Sequence, residues 1–367
     1  MKKRHPLRYA VIGLGHLSQA AILPAFRHCK RSKLVVMFSD DQKKRAKLAK
    51  EYQVPTYGYE ELEDILKKEA VDIAYLVVPN TLHREFTERI AAAGVHVLCE
   101  KPMATTEEDC TAMIRACHTA RVKLMVAYRL HFSPTHLAAV ELARSGKLGK
   151  LRIFQSTYTM QVKAGNIRTK ADLGGGPLFD IGIYSLNAAR YLFSAEPVEV
   201  FAWTATRSDS RFKEIEEMAS AILRFPDNRL ASFTCSFGAQ DLCEVRLIGT
   251  DGLLKMNSAF HYVGPSTWTA VRGERTKKRK FAAEDQFAAE MDYFAKCIQD
   301  HVQPEPSGQE GLADVRIISA IHQSAQCNRP IKLPPAHKEK RPRRKQQKRR
   351  PPVKRRPSLV KADAPHH

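Results

Sequence analysis

The 367-residue sequence predicts an α/β protein with two domains and a basic C-terminal tail. Strand-like and helix-like segments alternate at first, strand-like segments then follow one another, and proline, lysine and arginine dominate the end. Single cores rarely grow beyond about 250–300 residues, so a chain of this length usually forms two domains. We place the domain boundaries at 1–128, 129–333 and 334–367.

The first domain is predicted to be a doubly wound parallel sheet. Its apolar runs are short, and residues 72–78 form a β-branched run typical of a strand buried on both faces. The predicted strands are Tyr9–Ile12, Lys33–Phe38, Asp72–Val78, Val95–Cys99 and Lys123–Tyr128. The helices predicted between them are Leu17–His28, Asp41–Tyr52, Thr81–Ala93 and Thr105–Ala120. This βαβα order is characteristic of nucleotide-binding folds.

The second domain is predicted to be an α/β domain with an open, mostly antiparallel sheet. A long strand comes first, and alternating strands separated by turn signals follow it. The predicted strands are Lys150–Val162, Val198–Thr206, Ala219–Phe225, Leu230–Phe237, Glu244–Gly249 and Leu253–Met256. Two helices, Glu284–Gln299 and Gly311–Gln326, close the domain.

The first strand runs directly into the turn Gly13-Leu14-Gly15-His16-Leu17-Ser18, with serine in the third glycine position of a GxGxxG pattern. The glycines allow a tight turn and the close approach of a pyrophosphate to the N-terminus of the next helix. A strand precedes the turn and a helix follows it. We therefore predict a Rossmann dinucleotide-binding domain whose residues 13–17 contact the cofactor.

The end of the second strand bears on the choice between NAD and NADP. An acidic residue there binds the ribose 2′-hydroxyl and would repel a 2′-phosphate. If Ser39 takes that place, Ser39 and Lys44 can hold the phosphate of NADP; if Asp40 does, NAD is favoured. Spacing favours Ser39, so NADP is the expected cofactor and NAD the alternative.

Two further segments carry candidate chemistry. Lys101 follows a strand in Glu100-Lys101-Pro102, where its ammonium could bind a substrate hydroxyl. Downstream, Gly174-Gly175-Gly176-Pro177 leads into a helix with Asp180 and Tyr184 four residues apart on one face. These two side chains form either a proton-handling site or part of a helix that caps the core.

Composition excludes several other classes of protein. No apolar run reaches the length of about 18 residues that would indicate a membrane span. The eight cysteines lack the spacing of a metal site, so we expect reduced thiols, no metal and a cytoplasmic protein. About half of the net charge of +21 lies in the tail, where residues 338–367 contain 13 lysines and arginines against two acids. The tail is predicted to be disordered, with a weak polyanion or nucleic-acid contact through residues 338–361.

Together, four segments resemble the Gfo/Idh/MocA oxidoreductases, especially the glucose–fructose oxidoreductase branch. They are GLGHLSQAAILPAF at 13–26, EKP at 100–102, AYRLHFSP at 127–134 and GGGPLFDIGIYSLNAARYL at 174–192. The resemblance covers residues 7–330 and implies a Rossmann domain followed by an open-sheet domain. It also implies a homodimer or homotetramer, because the exposed sheet face in such proteins packs on a partner. The basic tail has no counterpart in the family pattern.

The resemblance implies hydride transfer between nicotinamide and a sugar, polyol or related hydroxy or keto compound. The resemblance further implies that Lys101 polarises the reacting C–O group, that Asp180 binds substrate hydroxyls and that Tyr184 is the general acid/base. Arg129 and His131 would line the nicotinamide or substrate side, with a packing role equally open for His131. The residues expected to border the cofactor are Pro79, Asn80, His83, Glu100 and Lys101. The alternatives are a non-catalytic dinucleotide-sensing regulator and a trans-dihydrodiol or xylose dehydrogenase-like enzyme.

Overall fold

The computed structural model describes residues 5–335, 342–353, 358–362 and 364. The chain divides into two compact units. The first contains residues 1–129, 285–311 and 348–364, and the second contains residues 130–284, 312–347 and 365–367. The predicted domains follow one another along the chain, whereas in the structure residues 285–311 return to the N-terminal unit.

The first unit contains a six-stranded, fully parallel sheet in the order β3-β2-β1-β4-β5-β6. Its strands are β1 (Leu7–Ile12), β2 (Ser32–Phe38), β3 (Thr56–Tyr57), β4 (Ile73–Leu76), β5 (His96–Glu100) and β6 (Leu124–Ala127). β1, β4 and the end of β2 are almost fully buried, as the apolar runs of the sequence require. The strand order reverses beside β1, and doubly wound sheets bind ligands at such a point.

Helices connect the parallel strands. The segment predicted as one helix at 17–28 consists of a π-turn Ser18–Ile22, the short α1 (Leu23–Ala25) and a 3₁₀-turn Phe26–His28. The remaining connecting helices are α2 (Gln42–Tyr52), α3 (Leu62–Lys68), α4 (His83–Ala92) and α5 (Glu107–Thr119). α2 begins at Asp41, whose carboxylate accepts hydrogen bonds from the backbone N–H groups of Lys43 and Lys44.

A later helix, α8 (Gln286–Gln299), completes the core of the first unit. The hydroxyl of Tyr9, in β1, donates to the carbonyl of Met291 at 2.8 Å. Asp292 accepts from the backbone N–H groups of Lys30 at 2.9 Å and Arg31 at 2.7 Å. These buried hydrogen bonds fix α8 against the start of the parallel sheet.

The second unit contains a nine-stranded sheet in the order β14-β13-β12-β11-β7-β10-β9-β8-β15. All neighbouring strands are antiparallel except β7 and β10, which are parallel. The strands are β7 (Leu151–Gln161), β8 (Glu199–Ala205), β9 (Met218–Phe225), β10 (Arg229–Ser236), β11 (Gly238–Gly249), β12 (Leu253–Asn257), β13 (Ser266–Arg272), β14 (Arg275–Phe281) and β15 (Ile331–Lys332). The predicted fold class is confirmed: a parallel Rossmann sheet and a second, mostly antiparallel sheet.

One face of this second sheet packs against helices. The helices are α6 (Pro134–Arg144), α7 (Ile183–Phe193) and the part of α9 (Gly308–Cys327) that follows residue 311. Phe233 and Cys235 of β10 are buried on this face, and a Cβ on Gly182 would lie 3.0 Å from the sulfur of Cys235. The glycine therefore permits close packing of the helical segment on the sheet.

The described part of the tail makes specific contacts. Arg344 pairs with Glu141 at 3.1 Å, Arg350 pairs with Asp292, and Lys361 pairs with Asp41 at 2.9 Å. The disorder predicted for the whole tail is thus wrong for these residues, while residues 336–341 and 354–357 lie outside the described part of the chain. Within the described residues no helix has the length and apolar character needed to cross a bilayer.

Candidate active site

The glycine turn after β1 has the shape that a dinucleotide requires. Gly13 has a φ of +96°, and a Cβ there would lie 2.4 Å from the carbonyl oxygen of Val77. A Cβ on Gly15 would meet nothing within 4 Å, so the turn is open on that side. Leu14 is buried, whereas His16 and Leu17 are half-buried. The turn thus fits a pyrophosphate on the open side of Gly15, at the N-terminus of the helical segment that follows.

Serine in the third glycine position keeps the turn compact. The hydroxyl of Ser18 donates to the carbonyl of Gly13 at 2.6 Å, and its side chain is fully buried. The hydroxyl therefore closes the turn internally instead of facing a ligand. This explains how serine replaces glycine at this position.

At the end of β2, the two candidate residues for the ribose position, Ser39 and Asp40, differ in burial. Ser39 is 2% exposed, and its hydroxyl oxygen accepts a hydrogen bond from the backbone N–H of Asp41 at 3.2 Å. Asp40 is exposed, while Lys44 is half-buried on the first turn of α2. Ser39, not Asp40, thus occupies the inward position at the strand end.

Lys101 lies directly beyond β5, at the same carboxyl edge of the parallel sheet as the glycine turn beyond β1. It is half-buried, and its backbone N–H donates to Glu100 Oε2 at 3.2 Å. The peptide bond between Lys101 and Pro102 is cis. Glu100 therefore orients the backbone at Lys101.

Glu100 itself belongs to a buried cluster with Tyr75 of β4 and Glu290 of α8. The Tyr75 hydroxyl lies 2.9 Å from Glu100 Oε1 and 3.3 Å from Glu290 Oε2. The phenol therefore lies within hydrogen-bond distance of two buried carboxyl groups. Burial, together with the charge of Glu100, raises the pKa of Glu290 well above its ordinary value. Glu290 therefore holds a proton to higher pH than an exposed glutamate does.

Burial also raises the pKa of Glu100, while the positive charges of Lys101 and Arg129 oppose that rise. Arg129 is 5% exposed and donates to the side-chain oxygen of Gln286 at 2.9 Å. Sequence reasoning assigned Arg129 to the nicotinamide or substrate side. In the first unit the positive charge of Arg129 acts on the two buried glutamates, Glu100 and Glu290.

Glu290→Gln is expected to make stability less dependent on pH. An unfolded glutamate titrates near ~4.3, whereas the buried Glu290 holds its proton to higher pH. Its stabilising contribution is complete below the pKa of the unfolded side chain and is lost as pH rises toward the folded value. Glutamine keeps a donor for Tyr75 and does not titrate. The fall in Tm between pH 5 and 8 should therefore be smaller in the variant.

Thermal unfolding of the wild type, Glu290→Gln and the exposed-site control Glu51→Gln across that pH range measures the difference. Glu51→Gln should retain the wild-type slope. Identical slopes for all three proteins would show that Glu290 is not protonated in the folded state.

The three candidate residues after β4 differ in burial. Pro79 precedes a 3₁₀-turn that begins at Asn80, and both are half-buried. His83 is fully buried, with Nδ1 2.9 Å from the carbonyl of Pro102 and Nε2 3.1 Å from that of Val78. Its side chain therefore joins the ends of β4 and β5, and the expectation that it borders the cofactor stays a prediction.

In the second unit, Asp180 lies in a π-turn, Leu178–Gly182, and is held by an arginine. Arg168 Nε donates to Asp180 Oδ2 at 2.6 Å. Burial acts to lower the pKa of Arg168, but the charge and the hydrogen bond of Asp180, together with the nearby Tyr262 and Tyr158, raise that pKa above its usual value. The pair thus fixes the carboxylate while leaving its side chain 21% exposed.

The glycine segment positions this pair. A Cβ on Gly175 would lie 2.4 Å from the carbonyl of Arg168, and the N–H of Gly176 donates to that carbonyl at 2.9 Å. The close approach that requires glycine here is to the chain's own backbone.

Tyr184 is the second residue of α7 and is half-buried among aromatic rings. Its ring stacks on Phe260 with centroids 5.8 Å apart and lies 6.2 Å from the ring of Tyr158. Such contacts restrict the side chain to one orientation. A phenol held this way beside a partly exposed carboxylate is suited to exchange a proton with a bound hydroxyl group.

His131, by contrast, belongs to the interior of the second unit. It is 1% exposed and its Nε2 lies 2.7 Å from the side-chain oxygen of Asn187. Asn187 in turn donates to Asp314 at 2.8 Å, and Asp314 pairs with Arg190. Of the two roles left open by the sequence, this chain of contacts supports packing.

Sequence reasoning missed several residues around these groups. Arg168 belongs to no recognisable sequence motif. Its contact with Asp180 depends on how the glycine segment folds against the backbone of Arg168. Glu290 did carry a signal: an acid within the apolar helical run FAAEMDYF at 287–294. Among the missed side chains that contact candidate residues are Tyr75, Tyr158, Arg168, Asn187, Phe260 and Gln286, and Glu290 contacts Tyr75.

Comparison with known proteins identifies the same two domains and the family to which they belong. Residues 7–128 match the oxidoreductase family with an NAD-binding Rossmann fold, GFO/IDH/MocA, and residues 136–255 match that family's C-terminal domain. The solved aldose-aldose oxidoreductase from Caulobacter crescentus is 38% identical, with a TM-score of 0.86 over 90% of this chain and 100% of that one.

Two curated relatives are more distant. The NADP(+) D-xylose 1-dehydrogenase of Haloarcula marismortui is 29% identical over 90% of this chain and 94% of its own. The dTDP-3,4-didehydro-2,6-dideoxy-alpha-D-glucose 3-reductase of Actinomadura kijaniata is 27% identical over 88% of this chain and 96% of its own. With both family domains matched and the glycine turn intact, the chain is an oxidoreductase of the GFO/IDH/MocA family.

Proposed function

We propose that this oxidoreductase transfers hydride between NADP and the CH–OH or C=O group of an aldose or a related sugar. The observation that carries the proposal is the shared sheet edge in the first unit. There the dinucleotide turn at Gly13–Gly15 and the ammonium-bearing Lys101 both follow parallel strands. A cationic donor at the ligand-binding edge of a Rossmann sheet is suited to hold the oxygen of a reacting C–O group.

The end of β2 supports NADP over NAD. The inward residue is the neutral Ser39, so no carboxylate occupies the position that would bind a free 2′-hydroxyl and repel a phosphate. Lys44, half-buried on the next helical turn, supplies positive charge. The Haloarcula relative is named for its use of NADP(+), which agrees with this assignment.

The residues then divide the chemistry. When bound, NADPH would supply the hydride in reduction and NADP+ would take it up in oxidation. In reduction the Tyr184 hydroxyl donates its proton to the reacting oxygen, and in oxidation the resulting phenolate accepts the proton of the substrate hydroxyl. Lys101 Nζ donates a hydrogen bond to the reacting oxygen, and Asp180, held by Arg168, accepts hydrogen bonds from neighbouring sugar hydroxyls.

Sugars are the substrate class supported by the relatives. One relative bears the name of an aldose-aldose oxidoreductase, one of a xylose dehydrogenase and one of a nucleotide-sugar ketoreductase. The test is a panel of aldoses, beginning with D-xylose and D-glucose, monitored by nicotinamide absorbance with NADP and NAD. Turnover with at least one aldose supports the proposal. Tight NADP binding with no turnover on the panel would instead favour the dinucleotide-sensing alternative.

We further propose that the protein is a homo-oligomer formed through the exposed face of the nine-stranded sheet. Large apolar side chains of neighbouring strands lie on this face, as pairs such as Leu230 with Ile153 show. The exposed members are Ile153, Trp203, Ile222, Leu230 and Leu242, between 39% and 56% exposed. Several large apolar side chains exposed on one sheet face are typical of an interaction surface, and a second copy of the chain would present the same face.

Trp203→Glu combined with Ile222→Glu is expected to convert the oligomer to a monomer. Two carboxylates at the centre of an apolar interface would be buried without partners. Light scattering after size exclusion measures the mass. Val302→Glu, at an apolar residue that is 50% exposed in the first unit, is the matched control. A wild-type monomer, or an oligomer that survives both substitutions, would refute this interface.

A reducing, cytoplasmic location remains our proposal, supported by eight free cysteines. The polyanion contact of the tail also stays a prediction. Three of the tail's basic side chains are instead paired with carboxylates of the same chain.

A further inference from the structure

The C-terminal strap, defined here as residues 358–362, contacts residues of both turns that we propose hold the dinucleotide in the first unit. Val360 and Ala362 are 8% and 9% exposed although the tail is otherwise rich in charge. The side chain of Gln19 holds the strap through two hydrogen bonds. Its Oε1 accepts from the N–H of Val360 at 2.7 Å, and its Nε2 donates to the carbonyl of Val360 at 3.0 Å. This pair of hydrogen bonds matches the way a neighbouring strand would bind the backbone.

Gln19 also belongs to the glycine turn. Its Nε2 donates to the carbonyl of Leu14 at 2.8 Å, and the side chain is 1% exposed. The strap is thus joined through one buried amide to the turn that fits the pyrophosphate. Buried hydrogen bonds of this kind persist where exposed ion pairs would exchange with water.

The next residue of the strap reaches the turn after β2. Lys361 Nζ lies 2.9 Å from Asp41 Oδ2, while Asp41 Oδ1 caps α2. The hydrogen bond from Lys361, followed by those from the backbone of α2, lowers the pKa of Asp41 to about 2, so this carboxylate is charged at neutral pH. Asp41 is two residues from Ser39, the inward residue at the proposed 2′-phosphate position.

The negative charges at this turn would repel a phosphate, and the strap supplies a positive charge that offsets them. Asp40 and Asp41 directly follow Ser39, so two carboxylates lie next to the proposed position of a doubly charged phosphate without occupying it. An ammonium has three donors and one here contacts Asp41, so Lys361 has donors left for a phosphate. Its side chain is 53% exposed and can reach a ligand beside Asp41.

We propose that the strap is part of the cofactor site and that Lys361 selects NADP over NAD. Lys361 offsets the charge of Asp41 and donates to the 2′-phosphate, while Gln19 holds the strap in place. The inference rests on the proposed use of NADP and deepens it.

The test is direct titration of the purified full-length protein with NADPH and with NADH, followed by nicotinamide fluorescence without any sugar. Lys361→Ala should raise the Kd for NADPH about tenfold, the effect of losing one charge-assisted hydrogen bond. The Kd for NADH should change less than twofold. Lys348→Ala, at an exposed tail lysine of the same unit, should leave both values unchanged.

A second variant that ends after residue 357 separates the strap from its lysine. It should weaken NADPH binding at least as much as Lys361→Ala. An unchanged or tighter Kd for NADPH in either variant would overturn the proposal, and tighter binding would show that the strap competes with the cofactor. Equal weakening for both nucleotides would also overturn the selective role. A wild type that prefers NADH refutes the proposed cofactor itself, and absence of sugar turnover refutes the proposed reaction without affecting these titrations.

Discussion

Tyr184→Phe is expected to lower kcat by about 10²–10⁴-fold, the contribution of a positioned general acid/base. The substitution removes one oxygen and keeps the ring that stacks on Phe260 and lies beside Tyr158. The aromatic cluster should therefore remain packed and the Tm should change little. The Kd for NADPH should also be retained, because the glycine turn and the end of β2 belong to the other unit.

Steady-state turnover with an active aldose, together with nucleotide titration, checks this expectation. Tyr59→Phe is the matched control, since Tyr59 packs on Phe86 in the first unit. A Tyr184→Phe enzyme with a kcat within twofold of wild type would remove Tyr184 from its proposed role. Loss of NADPH binding would indicate instead that the substitution disturbs the fold.

Lys101→Met is expected to lower kcat by about 10²–10³-fold, the cost of removing one donor to a developing oxyanion. Methionine keeps the length and apolar stem of the side chain but has no charge and no donor. Lys101→Arg should recover little, because a planar guanidinium cannot replace a compact ammonium at the same position.

The measurement is kcat and kcat/KM for the same aldose, with Lys68→Met, at an exposed position on α3, as the control. A rise in KM with kcat unchanged would mean that Lys101 contributes uniform binding and no transition-state stabilisation. That result would contradict its proposed role at the reacting oxygen.

Sequence reasoning succeeded where the relevant pattern was local. The glycine turn after β1 and the alternation of apolar runs predicted the parallel sheet and the place of Lys101, since strand, turn and helix signals depend on adjacent residues. β3 (Thr56–Tyr57) was missed because two residues are too few to show alternation. β14 was missed because six of its seven residues are exposed and several are basic, as suits an edge strand.

The contacts missed by sequence reasoning join residues far apart in the chain. Glu290 meets Tyr75 across 215 positions, and Val360 meets Gln19 across 341. Composition correctly identified a basic tail but could not reveal that two apolar residues within it, Val360 and Ala362, are buried. The roles of the glycines likewise depend on which backbone lies opposite each one, and sequence spacing alone does not provide this.

The return of α8 to the first unit determines how this protein can be divided. A fragment ending at residue 128 would leave the hydroxyl of Tyr9 and the N–H groups of Lys30 and Arg31 without the partners that Met291 and Asp292 provide. We therefore expect such a fragment to aggregate or to be cleaved by proteases. A chimera that exchanges the nucleotide-binding half with a relative must carry residues 285–311 and the strap as well, because the inherited unit is assembled from three separate stretches of chain.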